Sequence, residues 1–78
     1  MNHNQAFGKA LREQRNIQKL SQDALAYDAG LDRTFISLLE LGKQSPTLDT
    51  IFPLCRALKI PFATIAQRTE EILAAANG

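Results

Sequence analysis

Arg33, Thr34, Ser37 and Leu38 recur at the three- and four-residue intervals that gather side chains on one side of a helix. They offer a guanidinium fork, two hydroxyls and an apolar branch, a set that suits the edges of nucleic-acid bases. Arg can bond guanine bidentately, Ser and Thr can donate or accept, and an apolar group can meet a thymine methyl. No catalytic set stands beside them. The chain has no nucleophile motif built on Ser, Cys or His and no glycine-rich phosphate loop, so neither enzyme activity nor a small-molecule substrate is expected. Cys55 is the only cysteine and falls on an apolar helical stripe, where a small buried hydrophobe is the simplest reading. His3 has no partner at metal-ligand spacing and is placed in a mobile terminus, so no metal or cofactor is expected.

Short turn signals cut the chain into five helix-sized pieces. The first spans about residues 5 to 17, with Phe7, Ala10, Leu11 and Gln14 at helical spacing. Ser21 is an N-cap for a second helix from Gln22 to Asp28, ended by Gly30, and Asp23 favours the dipole of its first turn. Asp32 caps a third that runs to about Glu40, with Gly42 as its stop. Thr47 is placed to cap a fourth carrying Leu48, Ile51, Leu54, Cys55 and Leu58, with Pro53 inside it and expected to bend it. Pro61 is expected at the first position of a fifth helix reaching about Ala75, with Phe62, Ile65, Ala66, Thr69, Ile72 and Leu73 on one stripe. No segment alternates with period two, so the fold class is all-α, a compact five-helix bundle.

The 78 residues are expected to form one domain over residues 1 to 78, with an ordinary globular composition of 45% apolar and 22% charged residues. The net charge of +1 does not by itself announce a nucleic-acid partner. No stretch reads as a signal peptide or a membrane helix, so a cytoplasmic location without membrane contact is expected. Cores of this size are marginal alone, which makes self-association the expected supplement.

The functional case rests on residues 22 to 41, QDALAYDAGLDRTFISLLEL. Their punctuation is that of two short helices meeting at a steep angle. Leu25 packs between them, Ala26 is small where they cross, Gly30 permits the sharp turn, and Leu31, Ile36 and Leu39 fill the wedge. Arg33, Thr34, Ser37 and Leu38 are left on the outer face of the later helix, where a recognition helix presents side chains to a major groove.

With Arg15, L-S-Q at Leu20 to Gln22, L-A at Leu25 and Ala26, Gly30, I-S at Ile36 and Ser37, Glu40, Gly42, Pro46 and A-L at Ala57 and Leu58, the chain resembles the Cro and phage-repressor-like, XRE-type, helix-turn-helix regulators. The segment L-D-R-T-F-I-S is especially similar to restriction-modification controller proteins and short stand-alone repressors. The resemblance covers residues 7 to about 60 and implies the lambda-repressor-like fold, no enzymatic activity and a transcriptional regulator. It implies a homodimer on a pseudo-palindromic operator in double-stranded DNA. Ser21 and Gln22 would stand at the DNA backbone, with Gln22 holding a phosphate. Arg33, Thr34, Ser37 and Leu38 would face base edges, and Lys43 would lie near the backbone. Arg15 would pair structurally with Glu40. The chain departs from the family pattern in apolar Leu38 and Leu41, its thin positive charge and Pro53.

Those departures keep a second reading open, a protein-interaction module or antitoxin on the same fold with weak DNA affinity. Self-association is expected through Phe62, Ile65, Ile72 and Leu73, because the stripe towards Ile72 and Leu73 would otherwise be an exposed apolar patch.

Overall fold

Local hydrogen bonds decide where the helices of the computed structural model begin. The structure describes residues 1 to 78 and holds α1 (His3–Ile17), α2 (Gln22–Ala29), α3 (Arg33–Glu40), α4 (Leu48–Leu58) and α5 (Phe62–Asn77). Asn2 starts α1 reciprocally: its side chain accepts from the Gln5 amide at 2.8 Å, while the Gln5 side chain accepts from the Asn2 amide at 3.0 Å. That capping box begins the helix two residues earlier than periodicity suggests and puts His3 in its first turn, not in a loose terminus. Ser21 Oγ accepts from the Ala24 amide at 3.0 Å, and Asp32 Oδ1 from the Thr34 amide at 2.7 Å.

The later helices start differently from expectation. Thr47 stands at the N-cap of α4 but makes no side-chain cap; its hydroxyl lies 3.3 Å from that of Thr50, while its carbonyl accepts from the Ile51 amide at 2.8 Å. Pro61 is the extended residue just before α5, at φ −72° and ψ 155°, one position outside the expected place. Pro53 sits within α4, which continues as one helix to Leu58. The carbonyl that loses its donor to proline is that of Asp49, an exposed residue.

Two glycines shape the packing around the turn in different ways. Gly30 has φ +68°, and the Leu31 amide reaches back to the Ala26 carbonyl at 2.8 Å. This reversal folds α3 across α2. Gly8 serves close approach instead: a Cβ there would lie 2.6 Å from the Glu40 carbonyl oxygen and nearer still to that of Leu39. The first helix therefore rests almost on the end of the third, a position that no larger residue occupies without displacement.

Fifteen buried apolar residues form one core cluster, in which Leu11, Leu25, Ile36, Leu39, Leu54, Leu58 and Ile65 are fully enclosed. In this arrangement α1 lies against α3 and α5, α2 against α3 and α4, and α4 against α5. The fifth helix corrects one expectation. Ile65 is 0% and Ile72 8% exposed, so both belong to the core of the single chain, while Phe62 and Leu73 are half-buried. Seven residues separate Ile65 from Ile72, two helical turns, which places them on the same face. Arg68 draws the helix along α1 by pairing with Glu13 at 2.7 and 3.0 Å. Of the exposed large apolar side chains, which are Met1, Ile17, Tyr27, Leu41, Leu48 and Phe52, Leu48 and Phe52 stand one helical turn apart on α4, and Phe52 meets Phe62 edge to face with ring centroids 5.5 Å apart.

Candidate nucleic-acid interface

The start of α2 and the outer face of α3 enclose a shallow concavity of about 270 Å³ lined by Gln22, Arg33, Thr34 and Ser37, with no hydrophobic member. The fold brings these four together because the reversal at Gly30 sets the first residue of α2 beside the outward residues of α3. The other three residues expected at the DNA lie outside this lining. Ser21 is exposed, and its hydroxyl oxygen is engaged by the Ala24 amide. Leu38 is half-buried, so it covers part of the protein as well as facing outward. Lys43 is exposed just past Gly42, its amide bonded to the Leu38 carbonyl at 2.9 Å.

Beneath the concavity lies a polar network. Arg15 grips Glu40 with Nε at 2.6 Å and Nη2 at 3.0 Å, and its Nη1 donates to the Leu20 carbonyl at 2.9 Å. The side chains are 13% and 5% exposed. Fork geometry with every partner satisfied offsets the cost of removing both charges from water. The bond to Glu40 raises the Arg15 pKa above its ordinary value, against a smaller opposing effect of burial. A third member was not foreseen from the sequence: Gln22 Nε2 donates to Glu40 Oε1 at 3.1 Å. This bond restrains the amide at the mouth of the site while leaving its second N–H for a ligand.

Above the network, Arg33 Nε stands 3.5 Å from Asp23 Oδ1, and their side chains are 64% and 74% exposed. Sequence reasoning gave Asp23 only a role at the helix dipole. The pair spans the turn between two helices, and no periodicity links residues ten apart on different elements. Cys55 is buried on α4, away from the concavity, and desolvation pushes its thiol pKa up, as in an unreactive core cysteine.

Residues 11–65 match the family model described as Helix-turn-helix. The chain is 38% identical over 58 residues to control protein C.SmaI of Serratia marcescens, covering 74% of this chain and 69% of that protein. It is 37% identical to the restriction-modification controller protein C.AhdI from Aeromonas hydrophila, whose crystal structure superposes with a TM-score of 0.78 over 80% of this chain and 94% of that one. C.Esp1396I, solved bound to a 25 base pair operator site, is 19% identical with a TM-score of 0.85 over 95% of this chain and 97% of that one, a likeness of fold.

Proposed function

The chain belongs to the XRE-type helix-turn-helix family, with restriction-modification controller proteins among its homologues, and from that premise we propose that it is a sequence-specific DNA-binding transcriptional regulator acting in the cytoplasm. The observation that carries this reading is the polar concavity at the helix-turn-helix, where Gln22, Arg33, Thr34 and Ser37 converge. In the proposal α3 enters the major groove. Arg33 bonds a guanine edge, Thr34 and Ser37 contact neighbouring bases, and Leu38 meets a thymine methyl. Gln22 donates its free N–H to a phosphate near the positive end of the α2 dipole, with Ser21 and Lys43 flanking the same backbone. C.Esp1396I has been solved on an operator, and its shared fold makes this docking sterically reasonable.

Two copies on a pseudo-palindrome would present recognition helices about 34 Å apart, one turn of B-DNA. We place the interface between copies on Leu48, Phe52 and Phe62 together with the exposed part of Leu73. Ile65 and Ile72 support it from within, since both are already buried in one chain. Light scattering should give a dimer for the wild type and a monomer for Leu48→Asp with Phe52→Asp. A wild type that stays monomeric with and without DNA would refute the interface.

The regulator reading is tested by selecting bound sequences from random duplex DNA with the purified protein. Enrichment of a two-fold related motif is expected. Recovery of no motif, with affinity insensitive to salt, would favour a protein-interaction module instead, consistent with exposed Leu41 and a net charge of only +1.

A further inference from the structure

We propose that Asp23 is a positioning residue for Arg33 that sets the sequence specificity of the site, an inference resting on the DNA-reading role assigned to α3. Arg33 is the only charged side chain lining the concavity. A free arginine on a helix surface samples many rotamers, and fixing one of them on binding costs conformational entropy. Asp23 restrains that freedom. Its Oδ1 lies 3.5 Å from Arg33 Nε, the nitrogen nearest the side-chain stem. No other partner engages Arg33, so both Nη groups remain for the two acceptors of a guanine edge.

The position of Asp23 adds a second effect. Its contact with Arg33 sets its carboxylate beside the concavity that Arg33 and Gln22 line, and so beside the surface offered to a phosphate. Repulsion there weakens contacts to any DNA backbone, which carry no sequence information. The carboxylate thus works against indiscriminate binding and favours the one arrangement in which Arg33 meets a base. It also suits the α2 dipole, but that role affects only helix stability and leaves base choice unchanged.

The test compares wild type, Asp23→Asn and Asp23→Glu on the selected duplex and on a scrambled duplex, by fluorescence anisotropy across a salt series. Base preference is read at the position whose preference Arg33→Ala abolishes, and thermal melts are run in parallel. In Asp23→Asn, affinity for scrambled DNA should rise several-fold, and the ratio of specific to scrambled affinity should fall by about tenfold, the scale of a weakened bidentate contact. Preference for guanine should flatten, and Asp23→Glu should recover part of it. Equal rises on both duplexes with base preference intact would reduce Asp23 to a general charge and overturn the proposal. A lowered melting temperature with an unchanged ratio would reduce it to the helix dipole and overturn it equally. Failure of the wild type to select any sequence would reject the regulator reading and this inference together, whereas selection that survives Asp23→Asn unchanged would reject this inference alone.

Discussion

Two arginine–carboxylate pairs tie the helix-turn-helix together, and they differ in nearly every physical respect. Arg15 and Glu40 join α1 to α3 in a nearly dry bidentate contact whose remaining donors and acceptors reach Leu20 and Gln22. Arg33 and Asp23 join α3 to α2 through one 3.5 Å approach in water. The first pair cannot be offered to a ligand, because its atoms are already committed. The second leaves both Nη groups of Arg33 open to a ligand while Nε stays beside Asp23, and as an exposed ion pair it contributes only roughly 0 to 1 kcal/mol to stability. The same chemistry therefore builds a framework in one place and, in the proposed function, a reading head in the other, with burial deciding between them.

Breaking the framework should produce the largest effect. Arg15→Ala leaves the Glu40 carboxylate enclosed without its cation, and the fold should lose about 3 to 5 kcal/mol. Denaturant unfolding of Arg15→Ala, Glu40→Ala and the double variant forms a cycle, and strictly additive losses would contradict the coupling. Gly8→Ala attacks the same junction sterically, driving a methyl into the carbonyls at the end of α3. Overpacking of this kind should destabilise by about 1 to 3 kcal/mol. An unchanged unfolding midpoint would mean that α1 and α3 separate more readily than the structure implies.

The smallest effect sharpens the comparison with a third pair, Arg68 and Glu13, which is intermediate in exposure. The hydrogen bond from Arg68 holds the Glu13 pKa below its ordinary 4.5, against a weaker opposing effect of burial. A carboxyl depressed in the folded state contributes its stability above the ordinary value, and loses it as pH falls through the lower folded value. Melting temperature should accordingly decline slightly more steeply below pH 4.5 in the wild type than in Glu13→Gln. Identical acid profiles would show that this contact does not hold α5 to α1.

Much of the framework was legible in the sequence because its signals are local. Ser21, Asp32 and Gly30 punctuate the helices within a few residues of where they act, and Leu25, Ile36 and Leu39 repeat with the helical period. The Arg15–Glu40 pairing came from resemblance to a family, since nothing in the intervening residues links two positions 25 apart. What escaped was tertiary. The end of the fifth-helix stripe, at Ile72 and Leu73, reads as surplus along the chain, yet Ile72 is buried where α5 packs on α1. Gly8 gave a readable hint, as a glycine inside a helix is unfavourable by about 0.5 to 1 kcal/mol unless something requires it. The Asn2–Gln5 capping box is equally readable, and it carries α1 two residues beyond what periodicity alone suggests. The juxtaposition of Asp23 with Arg33 depends on the crossing of α2 and α3 and has no counterpart along the chain.

The central claim is that α3 reads DNA through Arg33 while Arg15 and Glu40 only hold it in place. The most direct measurement is the affinity of wild type and Arg33→Ala for the selected duplex and a scrambled one, titrated across salt concentrations. Wild-type affinity should fall with a log-log slope of about −0.9 per neutralised phosphate. Arg33→Ala should weaken specific binding by about 1 to 3 kcal/mol and affect scrambled DNA much less, with its melting temperature close to that of the wild type. Equal losses on both duplexes would make Arg33 a backbone contact and contradict the account.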